Sequence, residues 1–557
     1  MPPYRWIEPR PNAQLDDFGL DSPLLAAILA RRGVGSAAQA AAFLAPELGQ
    51  LGDPYDLPDL DLAVARIRAA LRRGTPIAVF GDYDADGVSA TAMLVRALRG
   101  VGGQVRPVLP HRVRDGYGLN RGAVGRIAAD GAGLLIAVDC GTGNAAELAL
   151  AHQHGLATIV LDHHHVVDDE LPGTAFVSSH RPGARGFRDF CAAGVTFQLV
   201  RALLGDDEAQ RYLPLAALAT VADVVPLLGA NRAIVALGLA RFTQAQPGLL
   251  ALARQAGVRP EALSSRDLGF ALGPRINAAG RIDDPGLALD LLLTEERSRA
   301  LELAQELGRL NAERQRQVEA LLREAEEVLA SPEEQPLIVV SHPGWNVGLV
   351  GLAASRLSER YGRPALVLAE ENGRSRGSAR SIAGFNIVEA LGECHDLLEA
   401  YGGHSQAAGL TLRSERRAEL VERLHTLAGA AFGPLGPRRE LTLDAELTRS
   451  ELTLASARLL RRLEPLGHGN PAPRLLLRGA RLHAVQPTRD GKHLRFRVAA
   501  ERGRSVKGIY FGGAERADLL SAGRPLDLAL TLKLNTWNGA VEPEVELLDA
   551  RLAAGEV

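Results

Sequence analysis

Residues 77–87 read Ile77-Ala78-Val79-Phe80-Gly81-Asp82-Tyr83-Asp84-Ala85-Asp86-Gly87, an apolar run that ends in three carboxylates within five positions. The run, taken from Pro76 to Phe80, has the length of a buried parallel strand, and the glycine-flanked acidic segment suits the turn after one. Similar runs recur at 105–109, 134–138 and 157–161, with helical stretches between them. Strands alternating with helices predict an open, doubly wound α/β sheet, in which ligands gather at the carboxyl ends of the strands. Two of the later runs end in Asp139-Cys140-Gly141 and Asp162-His163-His164-His165. Asp223 follows in a helical stretch over 195–225.

Three carboxylates on one strand end repel one another, and divalent cations are the usual remedy. The Asp-x-Asp-x-Asp-Gly spacing starts like an EF-hand loop. Its twelfth position, however, is Met93 where that loop needs Glu, and a strand rather than a helix precedes it. A lone Asp after a strand reads as a helix cap, and a short His run reads as a solvated loop. Repetition on successive strand ends is what argues for a site. Its mixed oxygen and nitrogen donors suit manganese, then magnesium, and zinc less well. Two adjacent cations clamp a phosphoryl centre and activate water, so the chemistry expected is metal-dependent phosphoester hydrolysis. No Walker loop points to nucleotide-driven work.

The 557 residues are 46% hydrophobic with a net charge of −3, enough for roughly three to four domains and against global disorder. No apolar run of membrane-spanning length occurs, and the N-terminus lacks an apolar signal core. The three cysteines, Cys140, Cys191 and Cys394, are scattered and odd in number. A reducing cytoplasm and no membrane partner are expected. The boundaries predicted are an arm or cap over 1–60, a catalytic α/β domain over 61–293, and a long connecting helix over 294–330, stopped by Ser331-Pro332. A second, smaller α/β domain spans 331–432, with strands near 337–340 and 365–368. A small antiparallel β module fills 438–557, where 494–498 and 526–534 alternate apolar and polar residues.

Ten basic residues stand against two acidic ones between Arg474 and Lys507, an excess out of keeping with the chain as a whole. A basic β module with Phe496, Tyr510 and Trp537 as base-stacking candidates suits single-stranded nucleic acid. The alternative is a barrel with solvated arginines and core aromatics.

The segments Gly81 to Gly87, Asp139-Cys140-Gly141 and Asp162-His163-His164, in that order, resemble the motifs of the DHH phosphoesterase superfamily and, within it, the RecJ family of single-strand-specific exonucleases. Supporting stretches are His111-Arg112 with Asp115-Gly116-Tyr117-Gly118, the segment from Gly273 to Arg281, Asn311 to Gln315, and Gly377 to Ile382. Gly402-Gly403-His404-Ser405 and Leu466-Gly467-His468-Gly469-Asn470-Pro471 complete the set. The resemblance implies a DHH catalytic domain and a DHHA1-type domain joined by the long helix, then an OB-like β-barrel. It implies two divalent cations, one held by Asp82, Asp84 and Asp139 and the other by Asp86, Asp139, His163 and Asp223. Asp139 would bridge them, and Asp162 would orient His163. His164 would lie beside the scissile phosphate, with Asp84 and Asp139 completing the catalytic group. It further implies 5′-to-3′ removal of mononucleotides from single-stranded DNA, a monomer, and single-strand-binding protein and a RecQ-type helicase as partners. Three positions depart from the family pattern: Phe80 and Asn346 stand where many relatives have His, and Ala379 stands where Gly is common.

For the strand itself, Arg112, Arg275, Asn277, Arg281, Ser378, Arg380 and His404 fall in polar or glycine-rich motifs that would line a cleft. Arginine forks suit phosphate oxygens. Asn311 and Gln315, four apart on the long helix, would touch a strand in the groove, and Arg380 with Ser381 would receive a terminal 5′ phosphate. Two other functions fit less well: a phosphodiesterase for short oligonucleotides or cyclic dinucleotides, which needs neither long helix nor basic tail, and a scaffold that binds DNA without cutting it.

Overall fold

The computed structural model describes the chain except residues 1–3, 10–17, 113, 167–170, 330, 333, 434–435, 438, 538–539 and 554–557, and except the side chains of 536 and 537. The first sheet has five parallel strands, β1 (Ile77–Phe80), β2 (Val105–Val108), β3 (Leu134–Val138), β4 (Ala157–Leu161) and β5 (Thr174–Val177), in the order β2-β1-β3-β4-β5. The order reverses between β1 and β3, which opens a crevice at their carboxyl ends, and Asp82 and Asp139 follow those two strands. The sequence does not predict β5, Thr-Ala-Phe-Val. Around the sheet lie α1 (Ala85–Gly100), α2 (Ala192–Leu204), α3 (Leu213–Ala222) and α4 (Gly273–Ile282). Central strands and helices share one apolar core.

The long helix is α5 (Arg297–Val328), 32 residues. Its first half buries Leu303, Ala304, Leu307 and Leu310 in the core of the first domain. Its second half turns Leu321 and Ala325 into a separate core. One amphipathic stripe thus changes partner midway, and this fastens the second domain to the first.

That second domain contains β6 (Ile338–His342), α6 (Val347–Tyr361), β7 (Ala365–Glu371), β8 (Arg374–Arg380), β9 (Leu398–His404) and β10 (Ala407–Arg413), with strands ordered β9-β10-β8-β7-β6. Only β6 and β7 pair in parallel. The sequence predicts just these two. β8 is Arg-Ser-Arg-Gly-Ser-Ala-Arg and carries no apolar signal, since only the small residues Ser375 and Ala379 are buried.

The C-terminal unit is a seven-stranded sheet of β11 (Ala445–Glu446), β12 (Leu475–Ala480), β13 (Leu482–Pro487), β14 (Leu494–Ala499), β15 (Ser505–Tyr510), β16 (Leu526–Trp537) and β17 (Ala540–Leu552). The pairing is antiparallel except between β11 and β12 and between β15 and β17. Its core takes in Leu24, Leu25, Ile28 and Leu29 of the helix Pro23–Arg31, and Arg5–Ile7 pairs with Glu440–Thr442. The start of the chain is therefore built into its last module. Phe496 is buried in this core, which overturns it as a base-stacking candidate; Tyr510 packs against the core but stays partly exposed, and the Trp537 side chain lies outside the described residues. Among the described residues no helix is long and apolar enough to cross a membrane.

Candidate metal centre

The acidic turn after β1 is held by its own backbone. Asp84 caps α1, accepting from the Asp86 and Gly87 amides at 2.9 and 3.1 Å. A Cβ on Gly87 would stand 2.7 Å from the Asp82 backbone, so only glycine lets the helix start this close to the turn. Asp86 points the other way, accepting from the Ala192 and Ala193 amides at 2.7 and 2.8 Å, where the N-terminus of α2 favours negative charge. Asp139 leaves β3 at φ 60, a left-handed conformation of the kind found at functional sites. Gly141, two residues on, has φ 117, and a Cβ there would meet Val160 at 2.8 Å.

These turns bring three sets of donor atoms together, each set within 4.8 Å: Asp82, Asp84 and Asp139; Asp86, His163 and Asp223; and Asp139, His163 and His164. Asp139 belongs to two of them. His163 Nε2 lies 3.4 Å from Asp139, 3.8 Å from Asp223 and 3.9 Å from Asp86. Burial and mutual repulsion push the Asp82, Asp139 and Asp223 carboxyls well above the usual range, and Asp86 up to about 7. Burial, with the neighbouring His164, pushes His163 down to about 4, leaving a neutral imidazole free to ligate. The buried Asp82 Oδ1 has no hydrogen-bond partner. Five crowded carboxylates, an orphaned acceptor and a neutral imidazole fit divalent cations.

One expectation needs correction. The carboxylate of Asp162 meets the ring of His164, not that of His163: Oδ1 lies 2.7 Å from His164 Nδ1 and takes only the backbone amide of His163, at 2.8 Å. Thr142 supports Asp162 from behind at 2.6 Å. Burial would raise the Asp162 pKa, but His164 and Thr142 hold it well below the usual range. Burial likewise opposes protonation of His164, yet its bond to Asp162 raises it above the ordinary value. The Tyr117 hydroxyl donates to Asp139 O at 3.1 Å and also lies 3.1 Å from His164 Nδ1. Sequence reasoning gave Tyr117 and Thr142 no role; a hydroxyl next to a catalytic motif was the only signal.

Beside the carboxylates stands a group of cations. Arg112 lies 4.0 Å over the Tyr83 ring. Arg281 is pushed down to about 9 by burial and by the charges of Arg112, Arg314 and Arg380. Mutually repelling guanidiniums beside a carboxylate cluster suit phosphate oxygens. Arg314, on α5, is half-buried with an unpartnered Nε, and was missed although Asn311 and Gln315 flank it. His404 ends β9, and the second domain meets the first beside these arginines, where Arg281 donates to Gly348 O at 3.0 Å.

Other predicted contacts turn inward. Asn277 accepts from the Ala85 amide at 2.7 Å and so braces the acidic turn. Arg275 engages Gln255 and the Ala271 carbonyl, both at 2.7 Å. Ser381 donates to Phe385 O at 2.6 Å. Ser378 accepts from Arg380 at 2.8 Å and so orients it. Asn311 is buried with its Oδ1 unbonded while Gln315 is exposed, so the two do not act as one face.

Comparisons with known proteins agree with this layout. Family models match for the DHH family N-terminal domain over residues 76–222, the DHHA1 domain over 334–430 and the RecJ OB domain over 443–549. The chain is 36% identical to the single-stranded-DNA-specific exonuclease RecJ of Bacillus subtilis, over 96% of this chain and 68% of that protein. It is 35% identical to the RecJ of Dickeya dadantii, over 95% and 96%. A crystal structure of Thermus thermophilus RecJ in complex with Mn2+ superposes with a TM-score of 0.85 at 34% identity, covering 99% of this chain and 81% of that one. The same protein with Mg2+ gives 0.79.

Proposed function

The chain belongs to the RecJ family of the DHH superfamily, and on that premise we propose that it is a single-stranded-DNA-specific exonuclease working through two divalent cations from the 5′ end. The observation that carries this is the sharing of Asp139 between donor sets at the strand ends of one sheet. Asp82, Asp84 and Asp139 would hold one cation, and Asp86, Asp139, His163 and Asp223 the other. Such cations, Mn2+ first and Mg2+ second, neutralise phosphate charge and make water acidic enough to ionise near neutrality.

The chain's own groups do the rest. His164, whose ring Asp162 orients and whose pKa it raises, offers a hydrogen bond to a phosphate oxygen. Arg112, Arg281 and Arg314 take up the strand's phosphates. Arg380, oriented by Ser378, suits a terminal 5′ phosphate. Domains facing each other across α5 leave a groove suited to one strand, and the product is a mononucleotide. Cytoplasmic repair and recombination fit this activity, as do a monomeric enzyme and partnership with single-strand-binding protein and a RecQ-type helicase.

The test is digestion of a single strand labelled at either end, a blunt duplex and a dinucleotide, with Mn2+ or chelator, by the parent and by Asp139→Ala. Metal-dependent loss of label from the 5′ end of the single strand alone, abolished in Asp139→Ala, is expected. Preference for the dinucleotide would make it an oligonucleotide phosphodiesterase, and binding without cleavage would make it a scaffold.

A further inference from the structure

Asp223 stands at the end of α3, and the chain leaves it through Val224 at φ 61. A β-branched residue in the left-handed region is strained and persists only where its surroundings impose it. Val224 is 63% exposed, so its own side chain does not hold the turn.

What holds it comes from a segment more than two hundred residues further along the chain. The Leu227 amide donates to His468 O at 2.7 Å. Gly469, at φ 70, lies so close that a Cβ would stand 3.0 Å from Pro226 Cβ. Ser265 donates to Leu466 O at 2.7 Å and accepts from its amide at 3.1 Å. In the helix Gly229–Ala240, just past the turn, the fully buried Arg232 donates to the carbonyls of Leu463, Glu464 and Pro465 at 3.0, 2.6 and 3.1 Å. Asn470 closes the same segment, donating to Leu463 O and Pro465 O at 2.9 and 2.7 Å. Arg32, from the start of the chain, donates to Asn470 in turn.

We propose that residues 463–471, between β11 and β12 of the β module, are a clamp that sets the 223–227 turn and with it the place of the Asp223 carboxylate. Arg232, Ser265 and Gly469 are then positioning residues for the Asp86–His163–Asp223 cluster, though none of them touches it. Seating of the β module and filling of that cluster favour each other, since a coupling between two sites acts in both directions. This rests on the two-cation reading.

The test is Mn2+ titration of the full chain without nucleic acid, with free Mn2+ read by electron paramagnetic resonance, for the parent, Asp223→Asn, Gly469→Ala and Ser265→Ala. The parent should bind two ions and Asp223→Asn should lose tight binding of one. Gly469→Ala should weaken that same ion by about 10–100-fold, the usual cost of disturbing a group that orients a ligand. Single-strand affinity in chelator should not change. A folded Gly469→Ala whose isotherm superimposes on the parent overturns the clamp. If that variant does not fold, Ser265→Ala decides by the same criterion. A parent that binds no Mn2+ instead defeats the two-cation reading, and the clamp with it.

Discussion

His164 Nδ1 lies 2.7 Å from Asp162 Oδ1, and no other carboxylate among the described residues approaches that ring so closely. The bond to Asp162 raises the His164 pKa above its ordinary value, beside a cluster of carboxylates. Asp162→Asn keeps the shape but removes the charge. We expect kcat on a single strand to fall about 10–100-fold, with Mn2+ affinity and KM close to the parent's. A variant that loses Mn2+ binding instead would make Asp162 a support for the ligand His163.

Stability without metal should depend on pH in an unusual direction. Asp82, Asp86, Asp139 and Asp223 hold protons more tightly folded than unfolded, Asp86 up to about 7. The folded state therefore carries more protons between the usual carboxylate range and neutrality, and stability falls as pH rises through that window. Thermal melting in chelator should drop between about pH 5 and about pH 7.5, and saturating Mn2+ or Asp86→Asn should flatten the slope. A metal-free melting temperature that rises over this range contradicts the assignment.

Arg314→Ala should raise KM for a single strand about tenfold and leave kcat within about twofold, because the side chain acts on phosphates rather than at the reacting bond. The plot of log affinity against log salt should lose about 0.7 of its slope, the share of one phosphate contact on a single strand. An unchanged slope would remove Arg314 from the strand's path.

In the β module, Arg489, Lys492 and Arg495 are exposed, whereas Arg478 and Lys507 are spent on Glu8, Glu446 and Glu542. Arg489→Gln, Lys492→Gln and Arg495→Gln together should weaken single-strand binding and flatten its salt dependence. Arg478→Gln should leave the salt slope alone. Equal effects of the two changes would mean that overall charge, not a docking face, attracts the strand.

The catalytic sheet was legible because β1, β3 and β4 are buried on both faces, and a continuous apolar run followed by Asp is a strong local signal. The long helix was legible from its period. The polar strands β8 and β9 were not, since β8 buries only small residues and β9, at the sheet edge, is mostly exposed, so neither shows the apolar alternation that marks a strand. The spacing of the acidic residues pointed to a shared site. The ring that Asp162 holds depends on side-chain rotation, which sequence order does not carry. Asn277 and Arg275 misled for a related reason: a polar residue in a functional motif can serve the backbone of that motif rather than the ligand. The burial of Phe496 followed the alternation of β14, an observation that argued for the core over stacking.

The most direct measurement is anomalous diffraction from crystals soaked in Mn2+. Two peaks on either side of the Asp139 carboxylate are expected, one bounded by Asp82 and Asp84 and the other by Asp86, His163 and Asp223. A single peak away from Asp139, or none, would contradict the shared-carboxylate site.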